Sequence, residues 1–106
     1  MSWMHADDET LDEIIERVTV DAYGDEGYTA FAQAFEDEVE VPLVATLAGI
    51  AVQLESIDFD GDERRGLLAV ITRDGETHRV SLLDLVLPTG PARSLANAYR
   101  RWLGIS

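Results

Sequence analysis

The feature that most constrains the fold is a change of hydrophobic period at Pro42. Before this proline, apolar residues recur at helical spacing, and after it they fall in short runs bounded by glycine and aspartate, as in β-strands. Proline cannot continue a helix, because it lacks the backbone donor and clashes with the preceding turn. The sequence therefore predicts an α+β fold in which helices come first and strands follow.

Two helices are predicted before the proline. The first begins at a capping box, in which Thr10 and Glu13 can satisfy each other's backbone donors. The second runs from about Asp25 to Val39 and carries an aromatic stripe. We expect a helical hairpin over residues 9–40, preceded by a mobile tail over residues 1–8.

Five short β-rich runs follow the proline, and the Asp74-Gly75 dipeptide between two of them is typical of a two-residue hairpin turn. The predicted strands cover residues 44–47, 51–59, 66–73, 76–82 and 85–87. A helical turn before the last of five strands is the layout of an SH3-like barrel, which we predict over residues 43–88. Pro91 then begins a third helix over residues 91–103. The expected fold is a single domain: an N-terminal helical hairpin packed on a small SH3-like five-stranded β-barrel, with a C-terminal helix.

Charge is concentrated in the first part of the chain. The protein has 21 acidic and 8 basic residues and a net charge of −13, and residues 1–40 alone hold 13 acidic residues and one arginine. Such a field repels phosphate backbones and anionic membranes and concentrates cations. The charge therefore predicts neither nucleic-acid nor membrane binding. The absence of lysine indicates a GC-rich or salt-adapted bacterial source.

The sequence contains no recognisable catalytic set. It has no cysteine, its two histidines His5 and His78 are far apart, and no nucleophile elbow or phosphate-binding glycine loop is present. No apolar run approaches the roughly 20 residues that span a bilayer, and the acidic first 16 residues are unlike a signal peptide. We expect a cytoplasmic protein that is not an enzyme.

An acidic cluster over residues 36–40, which includes Glu36 and Asp37, ends the second helix. Calcium takes six to eight oxygen ligands, and neighbouring side chains on a helix point about 100° apart, so a second segment must converge on this cluster. Asp21, near the bend between the helices, is a candidate for that segment. The alternative is a solvated acidic face that aids solubility.

A second acidic cluster covers residues 58–63 and partly matches an EF-hand loop. The match fails because glycine stands at the fourth place and not the sixth, and the twelfth place is Ala69 where a bidentate glutamate is required. Asp60 and Asp62 still flank Gly61 in a predicted hairpin tip. This tip is either a weak cation site or an ordinary charged turn.

Several short motifs follow one another in the order found in a known family. They are Val20-Asp21-Ala22-Tyr23, Phe35-Glu36-Asp37-Glu38-Val39, Val41-Pro42-Leu43, Ala51-Val52-Gln53-Leu54 and Val80-Ser81-Leu82-Leu83-Asp84-Leu85. With these motifs, residues 14–88 resemble the CcbP-like calcium-binding proteins, first described from heterocyst-forming cyanobacteria. The chain departs from the family at Val41 and Leu43, where the family prefers aromatic residues, and by its added third helix.

The resemblance implies a helical hairpin on a small β-barrel that binds Ca²⁺ through acidic side chains. It transfers a ligand role to Asp37 first, with Glu36 and Asp21 behind it, and Asp60 and Asp62 complete the predicted metal ligands. We therefore predict a calcium buffer or sensor. The alternative is an acidic SH3-like protein-interaction module without a specific metal site. Such a module would bind a basic protein or a second copy of itself, through the acidic N-terminal half and the basic C-terminal helix.

Overall fold

The structure is a computed structural model that describes residues 10–22 and 26–104. The predicted tail over residues 1–8 and the predicted start of the second helix at Asp25 lie outside the described residues. The elements are α1 (Leu11–Thr19), α2 (Glu26–Glu38), β1 (Leu43–Leu47), β2 (Ile50–Asp58), β3 (Leu68–Arg73), β4 (Glu76–Ser81), a 3₁₀ turn (Leu82–Asp84), β5 (Leu85–Val86) and α3 (Pro91–Leu103). In the described ranges, no helix is both long and apolar enough to cross a bilayer.

Local signals in the sequence set the start of α1 and both the start and the end of α3. Both halves of the predicted capping box form, since the Thr10 N–H donates to Glu13 Oε1 at 2.9 Å and the Glu13 N–H donates to Thr10 Oγ1 at 3.2 Å. Pro91 opens α3, and Gly104 ends it in the left-handed conformation with φ of 87°. The prediction of three helices and five strands is confirmed.

The five strands form one antiparallel sheet in the order β4-β3-β2-β1-β5. The hairpin between β3 and β4 turns at Asp74 and Gly75, whose φ values of 53° and 82° are both positive, as a type I′ turn requires. The predicted closure into an SH3-like barrel is not seen. Among the described residues, β4 and β5 are the two edges of the sheet, and β5 is only two residues long.

The three helices pack against one another, α2 also contacts β2, and α3 also contacts the 3₁₀ turn. Tyr99 on α3 is almost fully buried among Phe31, Tyr28 and Trp102, and its hydroxyl accepts a hydrogen bond of 2.9 Å from the N–H of Leu67, the residue before β3. This contact fixes the end of the loop between β2 and β3. The core therefore joins α3 to the sheet and places the end of α2 beside β2.

Candidate functional site

A cavity of about 330 Å³ lies between the C-terminal part of α2 and β2. Its lining consists of apolar Phe35, Val39, Val41, Leu54 and Ile57 and of polar Glu36, Ser56 and Asp58. We call it the α2–β2 cavity. The lining thus includes two acidic residues from different elements, Glu36 on α2 and Asp58 at the end of β2. A second segment, β2, therefore lies beside the acidic end of α2.

The sheet register explains why the cavity exists. Strand β1 pairs with β2 only as far as Leu43 opposite Leu54, whereas β2 continues to Asp58. Beyond Leu54, β2 pairs with β3 on one side, and the end of α2 lies on the other. Because the hydrogen-bonding groups of a strand point alternately to its two sides, some backbone carbonyls of this segment have no strand partner. Carbonyl, carboxylate and hydroxyl oxygens are the ligands that calcium takes in proteins.

Asp37 and Glu36 leave the helix in different directions. Both residues are exposed; Glu36 lines the cavity, whereas Asp37 accepts a hydrogen bond of 3.1 Å from Gln33 Nε2, one turn earlier on α2. Consecutive helical residues point about 100° apart, so the two carboxylates do not share one direction. Glu38 is also occupied, because Arg17 Nη1 on α1 lies 2.6 Å from its carboxylate. Of these three acidic residues, Glu36 is the one that lines the cavity.

Asp21 lies in a different part of the surface. It lines a depression between the end of α1 and the start of α2, together with Arg17 and Glu26. It is not among the residues that line the α2–β2 cavity. The structure therefore does not bring Asp21 together with Glu36, and its ligand role stays a prediction.

Asp60 and Asp62 are held by contacts within their own loop. Asp60 accepts a hydrogen bond of 3.0 Å from the Asp62 N–H and forms a 3.0 Å ion pair with Arg65. Asp62 accepts a hydrogen bond of 2.9 Å from the Arg64 N–H. These contacts satisfy the loop backbone and neutralise one carboxylate, so they account for the two aspartates without a metal ion. Their predicted ligand role stays a prediction.

Sequence reasoning noticed Asp58 in an acidic cluster but did not select it as a ligand. The signal that identifies it is structural, because Asp58 ends β2 where that strand runs beside α2 and not beside β1. Arg79 Nη2 on β4 lies 3.6 Å from Asp58 Oδ2. In residues 10–22 and 26–104, no group of three or more Asp, Glu, His or Cys side chains is arranged to hold a metal ion. A cation at the α2–β2 cavity would thus need oxygens from the backbone, Ser56 and water as well.

The basic helix α3 uses its arginines within the chain. Arg93 and Arg100 donate to the backbone carbonyls of Leu87 and Leu83, and Arg101 Nε lies 2.7 Å from Asp12 Oδ1 on α1. The Arg101 hydrogen bond lowers the pKa of the Asp12 carboxyl below its usual value of 3.8. These contacts attach α3 to its own chain.

Comparison with known proteins supports the fold. No family model matches the sequence, and no curated protein matches it. The structure is similar, with a TM-score of 0.71, to a solved protein described as a calcium binding protein in the calcium-binding form. The two share 15% sequence identity, and the match covers 97% of this chain and 99% of the other. At this identity the likeness establishes a shared fold over essentially the whole length of both chains.

Proposed function

We propose that the protein binds calcium at the α2–β2 cavity and acts as a cytoplasmic buffer or sensor, not as an enzyme. The observation that carries the proposal is the α2–β2 cavity, whose lining includes the acidic residues Glu36 and Asp58 from two different elements. The fold supports it, because a protein described as calcium-binding shares this architecture over its full length. The net charge of −13 supports it as well, because the field around the chain attracts cations.

The proposed ligands fit a hard cation held partly by water. In this proposal, oxygen ligands would come from Glu36, from the β2 segment Ser56–Asp58 that also lines the cavity, and from water, which completes the six to eight that calcium takes. Asp37 does not line the cavity, and its ligand role stays a prediction. With so few charged ligands we expect weak binding, with a Kd on the order of 10⁻⁵–10⁻³ M, since affinity rises with ligand charge and rigidity.

Calorimetric titration of chelator-treated protein at physiological salt tests the proposal. We expect saturable calcium binding with about one site and little competition from equimolar magnesium, because magnesium demands octahedral geometry and loses water reluctantly. Heat that disappears as sodium chloride is added would contradict a specific site. It would indicate a diffuse counter-ion atmosphere around the acidic half of the chain.

A protein-interaction module is the second candidate, and two exposed valines favour it. Val44 on β1 and Val86 on β5 are 66% and 60% exposed. Val86 pairs with Thr46, which is two residues from Val44, so both valines lie on one face of the sheet. This module would associate through β1 and β5. If so, sedimentation would show a complex or dimer that Val44→Ser weakens, at calcium concentrations where no specific binding occurs.

A further inference from the structure

The lining of the α2–β2 cavity is mainly apolar. Phe35, Val39 and Leu54 are buried along it, and Val41 lies beside them with 46% of its surface exposed. The volume of about 330 Å³ is at the lower end of the range of roughly 300–1,000 Å³ that ligand sites occupy, and it gives room for one large apolar side chain. These apolar contacts have no part in the proposed calcium binding.

The backbone of β2 is open beside this cavity. Hydrogen-bonded pairs alternate along an antiparallel ladder, and counting from the two-residue turn at Asp74 and Gly75 makes Ala69 and Val80 such a pair. The backbone groups of Ala69 therefore face β4, and the N–H and C=O of its other neighbour, Ile57, point to the opposite edge of β2. Strand β1 ends before this level, and in the described part of the chain no loop backbone pairs with Ile57. A donor and an acceptor of β2 are thus free on the side of the cavity.

Acidic side chains surround the open edge. Glu36 lines the cavity, and Glu40 stands in sequence between the cavity-lining Val39 and Val41. Both glutamates are exposed, and neither forms an ion pair among the described residues. The net charge of the whole chain is −13. A basic partner would approach this surface faster and meet complementary charge there.

We propose that the cavity binds an extended segment of a partner protein that carries one apolar side chain between basic residues. The segment would continue the line of β1 along β2, exchange hydrogen bonds with Ile57 and place its apolar side chain against Phe35 and Leu54. Successive side chains of an extended chain point to opposite sides, so the apolar one enters the cavity while its basic neighbours stay in water. The inference does not rest on calcium binding, because it uses the apolar lining and the strand edge. A calcium ion and the segment would exclude each other.

The probe is the acetylated and amidated peptide Arg-Thr-Arg-Leu-Arg-Thr-Arg, titrated into the full chain at physiological salt with a calcium chelator present. Its control has glycine in place of the leucine and carries the same charge. We expect the leucine peptide to bind at least about tenfold more tightly, because burial of a leucine side chain contributes that much to affinity. Equal affinities of the two peptides would overturn the proposal, since charge alone would then explain the binding. Absence of saturable binding would overturn it as well.

Two variants and one exchange measurement locate the binding. Val41→Arg and Val86→Arg each replace an exposed valine with a cation, but Val86 lies on β5, on the far side of β1 from β2, and does not line the cavity. We expect Val41→Arg to weaken binding of the leucine peptide at least about tenfold and Val86→Arg by less than about twofold, because distant exposed charges are screened. Saturating peptide should slow hydrogen exchange of the Ile57 N–H by about tenfold or more.

Equal losses in the two variants, or unchanged exchange at Ile57, would overturn the proposal. Sedimentation without peptide tests a second copy as the occupant. A dimer that Val41→Arg dissociates would assign the cavity to that copy and would also overturn the proposal. If the leucine peptide binds as expected but calcium does not bind, this inference stands and the proposed function fails.

Discussion

Replacing Tyr99 with phenylalanine tests how the core holds the loop between β2 and β3. The Tyr99 hydroxyl accepts a hydrogen bond of 2.9 Å from the Leu67 N–H, and Tyr99 and Leu67 are 1% and 0% exposed. Phenylalanine keeps the ring but leaves this buried N–H without its acceptor, which costs about 1–3 kcal/mol of unfolding free energy. In a domain of this size each kcal/mol lowers Tm by roughly 4–8 °C. Thermal and urea unfolding of both proteins measure the loss.

Gly66 offers a companion variant. Its φ is +64°, and an added Cβ would lie 2.5 Å from the Tyr99 hydroxyl oxygen. Gly66→Ala should therefore cost more than Tyr99→Phe, because it adds backbone strain of about 1–2 kcal/mol to the displacement of the hydroxyl. In the Tyr99→Phe background the alanine meets no hydroxyl, so its cost should fall. A Tyr99→Phe variant within about 0.5 kcal/mol of the wild type, with no coupling to Gly66, would refute this reasoning.

The same hydroxyl makes stability depend on alkaline pH. Burial raises the pKa of Tyr99 above its usual value of 10.0. Above pH 10 the unfolded chain therefore releases a proton that the folded chain retains, and stability falls as pH rises. Tyr99→Phe removes this contribution, so its stability should decline less steeply than that of the wild type above pH 10. Parallel slopes over that range would show that the buried hydroxyl is not responsible.

Three further predictions concern packing, a turn and an ion pair. Gly27→Ala places a Cβ 2.2 Å from the Trp102 ring, so it should destabilise by about 1–3 kcal/mol in urea unfolding and by less in a Trp102→Phe background. Ala48 has a φ of 50° at the β1–β2 turn, so Ala48→Asn should raise the unfolding free energy by about 0.5–1 kcal/mol; no gain would contradict that turn geometry. Arg101 lowers the pKa of Asp12 from 3.8, so this pair's contribution should be present above pH 3.8 and lost as pH falls below it. In Asp12→Asn, the free energy of unfolding should accordingly fall less steeply than in the wild type as the pH is lowered through this range.

The parts of the fold that short-range signals specify could be predicted from the sequence. The capping box at Thr10 and the Asp74-Gly75 turn involve residues within three positions of each other, and their geometry is the predicted one. Closure of the sheet could not be predicted in this way, because it depends on pairing between strands that are distant in sequence. Strand β5 has two residues and pairs only with β1, which leaves β4 as an open edge. Nothing in the local pattern of residues 85–87 predicts that outcome.

The candidate site, like the fold, could be predicted from the sequence only in part. The sequence pointed to the end of α2, and the structure places Glu36 from that segment in a cavity. The sequence could not choose between Glu36 and Asp37, because the choice depends on which side of the helix faces β2. It could not select Asp58 either, because that role requires β1 to stop opposite Leu54. Sequence reasoning finds acidic segments, and only the three-dimensional structure shows which of them lie beside the same cavity.

The measurement that tests the central claim most directly is calcium titration of Glu36→Gln beside Glu76→Gln. Both variants remove one negative charge and keep the size of the side chain, but Glu36 lines the α2–β2 cavity whereas Glu76 is 77% exposed on β4. If Glu36 is a ligand, its loss removes a charge at contact distance. Calcium affinity should then fall at least tenfold, on the order of 1.4 kcal/mol, while Glu76→Gln should change it by less than about twofold at physiological salt. Equal small effects from the two variants would contradict a calcium site at this cavity.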